Sequence, residues 1–230
     1  DAYFEAVSAM TTTGSTVMTG LDQTSPPILL WRSLMQALGG VGVIVLSIIM
    51  MPFLRVGGMQ LFHTESSDKS DKIVAKAFDL SVWILGIFLV LVLLCGFAYK
   101  LLGMTWFDAI NHAMTTVGTG GFSTHDSSFG YFSGYQTFPA LLWTGFVFMI
   151  AGALPFVAFI RLTKGHWREF FTDIQLRAFL ALLLVAILLV GATRTLRGDI
   201  PFGESIMHAA FNVVSIVTTT GYASEDYQLW

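Results

Sequence analysis

The sequence predicts an all-α integral membrane protein assembled from repeated units. Each unit is a spanning helix, a re-entrant half-helix, a polar turn and a second spanning helix. Three observations predict it. Hydrophobic residues make up 54% of the 230 and charged residues 12%, about half the charged share of an ordinary soluble domain, and mean hydropathy is +0.70. Four apolar runs, approximately 28–54, 80–102, 140–160 and 176–196, meet the ~20 residues that a bilayer span needs. A threonine-glycine turn recurs three times, as TTTGSTVMTG from Thr11, TTVGTGGFST from Thr115 and TTTGYASEDY from Thr218. The glycines that close its Thr-Thr-x-Gly strings, Gly14, Gly118 and Gly221, lie 104 and 103 residues apart, and spacing that even marks an internal repeat.

The composition also excludes. A net charge of −3 with no basic stripe leaves nothing to neutralise nucleic-acid phosphates. Cys95 is the only cysteine and sits in an apolar run, so it reads as a small buried hydrophobe and no disulfide or cysteine metal site is expected. Asp1 and Glu5 stand where a signal peptide would carry basic residues, so none is expected.

Taken in order, residues 4–13, 107–117 and 206–220 are moderately apolar and end at the three turns. They are too short to span and read as re-entrant half-helices. Residues 80–160 then form a complete repeat, residues 1–54 the second half of a preceding one, and residues 176–230 the first half of a third. The connections 55–79 and 161–175 are charged. The second spanning helices align as well, since Trp31 and Gly40 have the nine-residue separation of Trp143 and Gly152. Gly39, Gly40 and Gly42 lie inside such a helix and read as close helix packing rather than a dinucleotide fingerprint. Pro155 predicts a kink in the third span. Basic residues set the orientation: Arg55, Lys69, Lys72, Lys76, Arg161, Lys164, Arg168 and Arg177 flank the charged connections, against Arg32, Lys100, Arg194 and Arg197 on the other side. Eight against four puts the connections in the cytoplasm and the turns at the outer face.

Backbone that leaves the helix at membrane depth must be buried in protein or line a watery cavity. Glycine allows conformations that point successive carbonyls the same way. Rings of such carbonyls replace the water shell of a cation, with the partially negative half-helix C-terminus behind them. Uncharged hard oxygens suit a weakly hydrated monovalent ion better than calcium or magnesium, which recruit carboxylates. Asp22 and Asp126 each lie eight residues beyond Gly14 and Gly118, and Glu225 with Asp226 follow Gly221. Together they predict an acidic outer vestibule that concentrates cations, although each alone reads equally well as a solvated loop carboxylate.

Half-repeats of this kind, together with the stretches TTTGSTVMTGLD, WRSLMQALGGVGVIVLSIIMMPFL, GGMQLFHTES and DAINHAMTTVGTGGFSTHDSSF, resemble the TrkH-type potassium uptake subunits of the Trk/Ktr/HKT superfamily over essentially the whole chain. The resemblance implies a potassium-channel-like chain of four repeats around one pseudo-fourfold pore in the bacterial cytoplasmic (inner) membrane. It implies a homodimer, a cytoplasmic nucleotide-binding regulatory subunit, K⁺ as the transported ion and no cofactor. The filter positions it implies are Thr13-Gly14-Ser15, Val117-Gly118-Thr119 and Thr220-Gly221-Tyr222, supported by Thr12, Thr116 and Thr219. Val117 stands where the other turns have Thr13 and Thr220, so one hydroxyl is absent. Only three turns occur, so a longer chain with a fourth is expected.

Two other readings stay open. An intramembrane enzyme is one, because Asp108 precedes His112 by four residues and Glu204 precedes His208 by four, one helical turn in each case. No nucleophile accompanies either pair, so no catalytic residue is assigned. A non-conducting membrane scaffold is the other. His112, His208, Asn111 and Asn212 read as hydrogen-bonding anchors of the half-helices, with Ser8 and Ser215 in the slot of His112. No transition-metal site is expected, because neither histidine is followed at i+3 or i+4 by a second histidine, a cysteine or a carboxylate.

Overall fold

The computed structural model describes residues 1–54, 68–197, 200–227 and 230. Among them the chain is all helix and loop. The order is α1 (Ala2–Met10), α2 (Pro26–Leu54), α3 (Asp68–Leu101), α4 (Trp106–Val117), α5 (Phe138–Ala153), α6 (Phe156–Thr163), α7 (Trp167–Thr172), α8 (Ile174–Arg197) and α9 (Phe202–Val217). Within the long helices, Pro26–Ile48, Phe78–Leu101 and Ile174–Arg197 are long and apolar enough to cross a membrane. Residues 55–67, the first part of the first charged connection, lie outside the described residues.

The third expected span, 140–160, is not one straight helix. α5 and α6 meet at 95°. Leu154 is extended, with ψ of 146°, ahead of Pro155, because proline's ring disfavours the helical region for the residue before it and supplies no N–H. The kink that Pro155 predicts is therefore a break in the span.

The short helices α1, α4 and α9 are the half-helices. α4 begins where the Thr105 hydroxyl accepts the Asp108 N–H and donates to the Asp108 carboxylate, 2.6 Å away, a reciprocal cap that starts the helix sharply. α4 packs against α2, α3 and α5; α1 packs on α2, and α9 on α5 and α8. The core is aromatic-rich: Tyr99, Phe129, Phe132, Phe211 and Tyr222 are all buried. The outward faces of α3 and α8 are apolar and exposed, with Leu93, Phe97 and Leu189 among them. A membrane protein turns such surface to hydrocarbon.

Candidate functional site

Each half-helix ends in the same way. At α1, Thr12 N–H donates to Ala9 O and Thr13 N–H to Ser8 O; at α4, Thr119 donates to Thr116 O, and Gly120 and Gly121 both to Thr115 O; at α9, Thr219 donates to Ile216 O and Gly221, the counterpart of Gly121, to Ser215 O. Backbone angles repeat in step. Thr12, Thr119 and Thr219 have φ of 52°, 51° and 59°; two residues on, Gly14, Gly121 and Gly221 have 76°, 72° and 87°. A β-branched residue in the left-handed region is a genuine outlier, and three at equivalent positions indicate strain held in place by its surroundings.

This pattern moves the register of the second turn. Gly121, not Gly118, is the structural counterpart of Gly14 and Gly221. Gly118 corresponds to Thr11 and Thr218, and Thr116 and Val117 are still in the last turn of α4. The second turn is thus Thr119-Gly120-Gly121-Phe122, three residues beyond the expected string. The same shift applies to the half-helix slots. His112 is matched by Glu5 and Asn212, while Ser8 and Ser215 are matched by Thr115. On the second helices a methyl on Gly39 would collide with the Met10 carbonyl and one on Gly152 would lie 2.5 Å from the Val117 carbonyl oxygen. Gly39 therefore makes the contact equivalent to that of Gly152, one residue from the expected Gly40, whereas a methyl on Gly40 would lie 2.9 Å from the Gly118 carbonyl oxygen.

The three turns converge. A side chain on Gly14 would run into the Gly120 carbonyl oxygen and lie 3.5 Å from that of Thr220; one on Gly121 would run into Thr220 O. Gly120 and Thr220 are equivalent positions, and both of their carbonyl oxygens border the space a Gly14 side chain would enter. A side chain on Gly221 would meet nothing within 4 Å.

Behind the turns lies a layer of satisfied polar groups, as burial requires. In the first turn Ser8 donates to Ser15 O at 2.6 Å, and the Glu5 carboxylate accepts from the Thr16 hydroxyl at 2.6 Å and from Val17 N–H at 2.7 Å. In the third, Ser215 donates to Tyr222 O at 2.8 Å and the Asn212 carbonyl accepts Ser224 N–H at 3.1 Å. In the second, His112 Nε2 is 3.0 Å from Ser123 Oγ. Tyr222 is buried, and its hydroxyl meets Thr115, Thr116 and the His112 carbonyl, locking the third turn to α4. Neither proposed carboxylate–histidine dyad forms. His112 Nδ1 is paired with the Asp108 backbone carbonyl, the Asp108 carboxylate takes Thr105 and Thr124, and His208 pairs with Ser224 and Glu225.

Of the carboxylates expected at an outer vestibule, Asp22 hydrogen-bonds His125, and Asp126 accepts Leu21 N–H at 3.1 Å on both oxygens. Glu225 takes Arg194 at 2.7 Å. Asp226 lines, with Glu204 and His208, a cleft of about 910 Å³ beside the convergent turns. His125 stacks on Tyr131 and lies 3.4 Å from Asp108. Burial works against its charged form, yet the Asp108 and Asp22 carboxylates outweigh this and raise its pKa above 6.5. The hydrogen bond with His125 in turn lowers that of Asp22. Two of the four carboxylates expected at an outer vestibule, Asp22 and Glu225, are thus paired with His125 and Arg194, partners that sequence offsets alone do not reveal. Sequence reading also missed Glu5 and Arg32 as a buried pair at 3.0 Å and the fully buried Gln36. One signal was available: each is a polar residue in a largely apolar helical stretch.

Short half-helices carrying strained, convergent loops between spanning helices define a channel-like membrane fold. The family model for TrkH, described as a cation transport protein, matches residues 1–230. The chain belongs to the TrkH family. It is 48% identical over 230 residues to the Trk system potassium uptake protein TrkI of Halomonas elongata, covering 100% of this chain and 46% of that protein. It is 34% identical over 235 residues to TrkH of Escherichia coli strain K12, covering 100% of this chain and 48% of the relative. The crystal structure of the potassium transporter TrkH from Vibrio parahaemolyticus superposes with a TM-score of 0.81 at 33% identity, over 100% of this chain and 46% of that one. The chain thus spans about half the length of the relatives it matches.

Proposed function

We propose that the three turns are three quarters of a potassium-selective filter, and that the chain is pore-forming in a Trk-type uptake system. The observation that carries this is the shared path of the turns: left-handed threonine, carbonyl-bearing residue, left-handed glycine, three times, with the Gly120 and Thr220 carbonyls bordering one space. Such carbonyls replace a hydration shell without fixed charge, which suits K⁺. The filter residues on this reading are Thr12, Thr13, Gly14 and Ser15, then Thr119, Gly120, Gly121 and Phe122, then Thr219, Thr220, Gly221 and Tyr222. The relatives' names, all potassium uptake proteins, support the ion. Their greater length supports a fourth repeat against the open flank of Gly221, completing a pseudo-fourfold pore.

The remaining assignments rest on the family resemblance and the basic-residue bias: bacterial inner membrane, turns facing outward, homodimer, and a cytoplasmic nucleotide-binding regulator. The test is Gly121→Ser in the intact transporter, with K⁺ and Na⁺ uptake measured in cells deficient in other K⁺ uptake. Loss of K⁺ uptake or of discrimination against Na⁺ is expected, because the new side chain enters the space of the Thr220 carbonyl. Unchanged uptake and discrimination would overturn the filter reading and favour a non-conducting scaffold.

A further inference from the structure

The second turn lacks the side-chain bracing that holds the other two. In the first, the Thr11 and Thr13 hydroxyls lie 2.7 Å apart; in the third, those of Thr218 and Thr220 lie 2.8 Å apart. The second has Gly118 and Gly120 at these positions. Nor does the serine brace recur. Its counterpart Thr115 bonds the Asn111 and His112 carbonyls of its own helix, and the Tyr222 hydroxyl.

The missing brace comes from a different repeat. Gln36, on α2, is fully buried. Its Nε2 donates to Gly120 O at 2.7 Å, and its Oε1 accepts Phe122 N–H at 3.1 Å. These two partners fix the amide orientation, since one must receive a proton and the other must give one. The amide also fills the room a side chain would need. A methyl on Gly120 would lie 2.5 Å from Oε1 and 2.7 Å from Nε2. Thr13 and Thr220 have side chains at that very position. The near contact of Gly40 with Gly118 brings α2 close enough for the reach.

We propose that Gln36 is a selectivity-determining positioning residue, whose side-chain amide replaces in the second turn the threonine side chain present in the first and third. It holds the Gly120 carbonyl at the level of its counterparts and leaves that oxygen a second lone pair for the ion. The inference rests on the filter reading above.

The experiment measures K⁺ and Na⁺ uptake by the intact transporter reconstituted in liposomes, with the amount of folded protein assayed in parallel. Gln36→Leu removes both hydrogen bonds at similar volume, and Gln36→Glu removes only the donor to Gly120. In each, the K⁺-to-Na⁺ uptake ratio is expected to fall about tenfold, which corresponds to about 1.4 kcal/mol. Gly120→Thr alone is expected to disturb uptake, because Gln36 occupies the space. Gly120 is outside the left-handed region, so Gln36→Ala with Gly120→Thr is expected to recover most of the ratio. Parallel loss of both fluxes at an unchanged ratio would mean mere packing and overturn the proposal. So would a double variant no better than Gln36→Ala. If the unmodified transporter itself fails to discriminate K⁺ from Na⁺, the filter reading falls and this role with it. Discrimination that survives Gln36→Leu overturns the role of Gln36 alone.

Discussion

Replacing Arg32 by methionine tests the support of the first turn. Arg32 Nε lies 3.0 Å from Glu5 Oε2, both side chains are nearly inaccessible, Nη2 reaches the Thr16 hydroxyl at 3.0 Å, and the guanidinium sits 4.1 Å over the Phe122 ring. The pair therefore ties α1 and α2 of one repeat to the residue after the left-handed glycine of the next. Methionine keeps much of the stem's contact with Phe122 and leaves the Glu5 carboxylate without its cation. Breaking a buried pair from one side costs about 3–5 kcal/mol. Glu5 retains Thr16 and Val17 as donors, so the lower end, about 3 kcal/mol, is expected. Glu5→Gln combined with Arg32→Met removes both charges and is expected to cost much less, with a coupling of at least about 2 kcal/mol between the sites. Unfolding in mixed micelles with increasing SDS, followed by circular dichroism, measures each variant. An Arg32→Met stability within about 0.5 kcal/mol of the unmodified protein, or a double variant as damaged as the sum of the singles, would refute the reasoning.

The bridge from Asp22 to His125 is expected to make stability pH-dependent. The His125 pKa is raised, so its contribution is complete below the ordinary value of 6.5 and lost as pH rises through the raised one; the lowered pKa of Asp22 gives a contribution present above the ordinary 3.8 and lost as pH falls through the lowered one. The difference in thermal midpoint between the unmodified protein and His125→Gln should therefore be steady below pH 6.5 and shrink as pH rises through the raised value; a constant difference would count against the bridge. Gly39→Ala places a methyl against the Met10 carbonyl and should destabilise by about 1–3 kcal/mol. Gly42→Ala, with nothing within 4 Å, should be neutral or stabilising by up to about 1 kcal/mol; equal effects in the same unfolding assay would refute the close approach.

Hydropathy and turn spacing carry the fold, because a span or a half-helix is a property of ten or more consecutive residues. The breaks in that logic are local. Thr115-Thr116-Val117-Gly118 looks like the Thr-Thr-x-Gly of its sister turns, yet α4 runs on through Val117. Where a helix stops depends on which glycine turns left-handed, and the second turn has three from which to choose. Pro155 announces a bend, but not the 95° that separates α5 from α6. Gln36 and Arg32 look like ordinary polar interruptions of an apolar helix until their partners, as many as 86 residues away in the case of Gln36 and Phe122, are folded against them. The pairing of Asp22 with His125 spans 103 residues and is invisible to any local count of charge.

The slot shared by Glu5, His112 and Asn212 has a consequence for how this protein can change. A ring made from four copies of one chain receives every mutation four times over, so its selectivity shifts in a single large step. Here one slot holds an acid, one an imidazole and one an amide, each written by its own codon. A substitution touches one of the three turns and leaves the others as they were. On the filter reading, ion preference would then be adjustable in small increments, and the three turns are free to diverge in sequence.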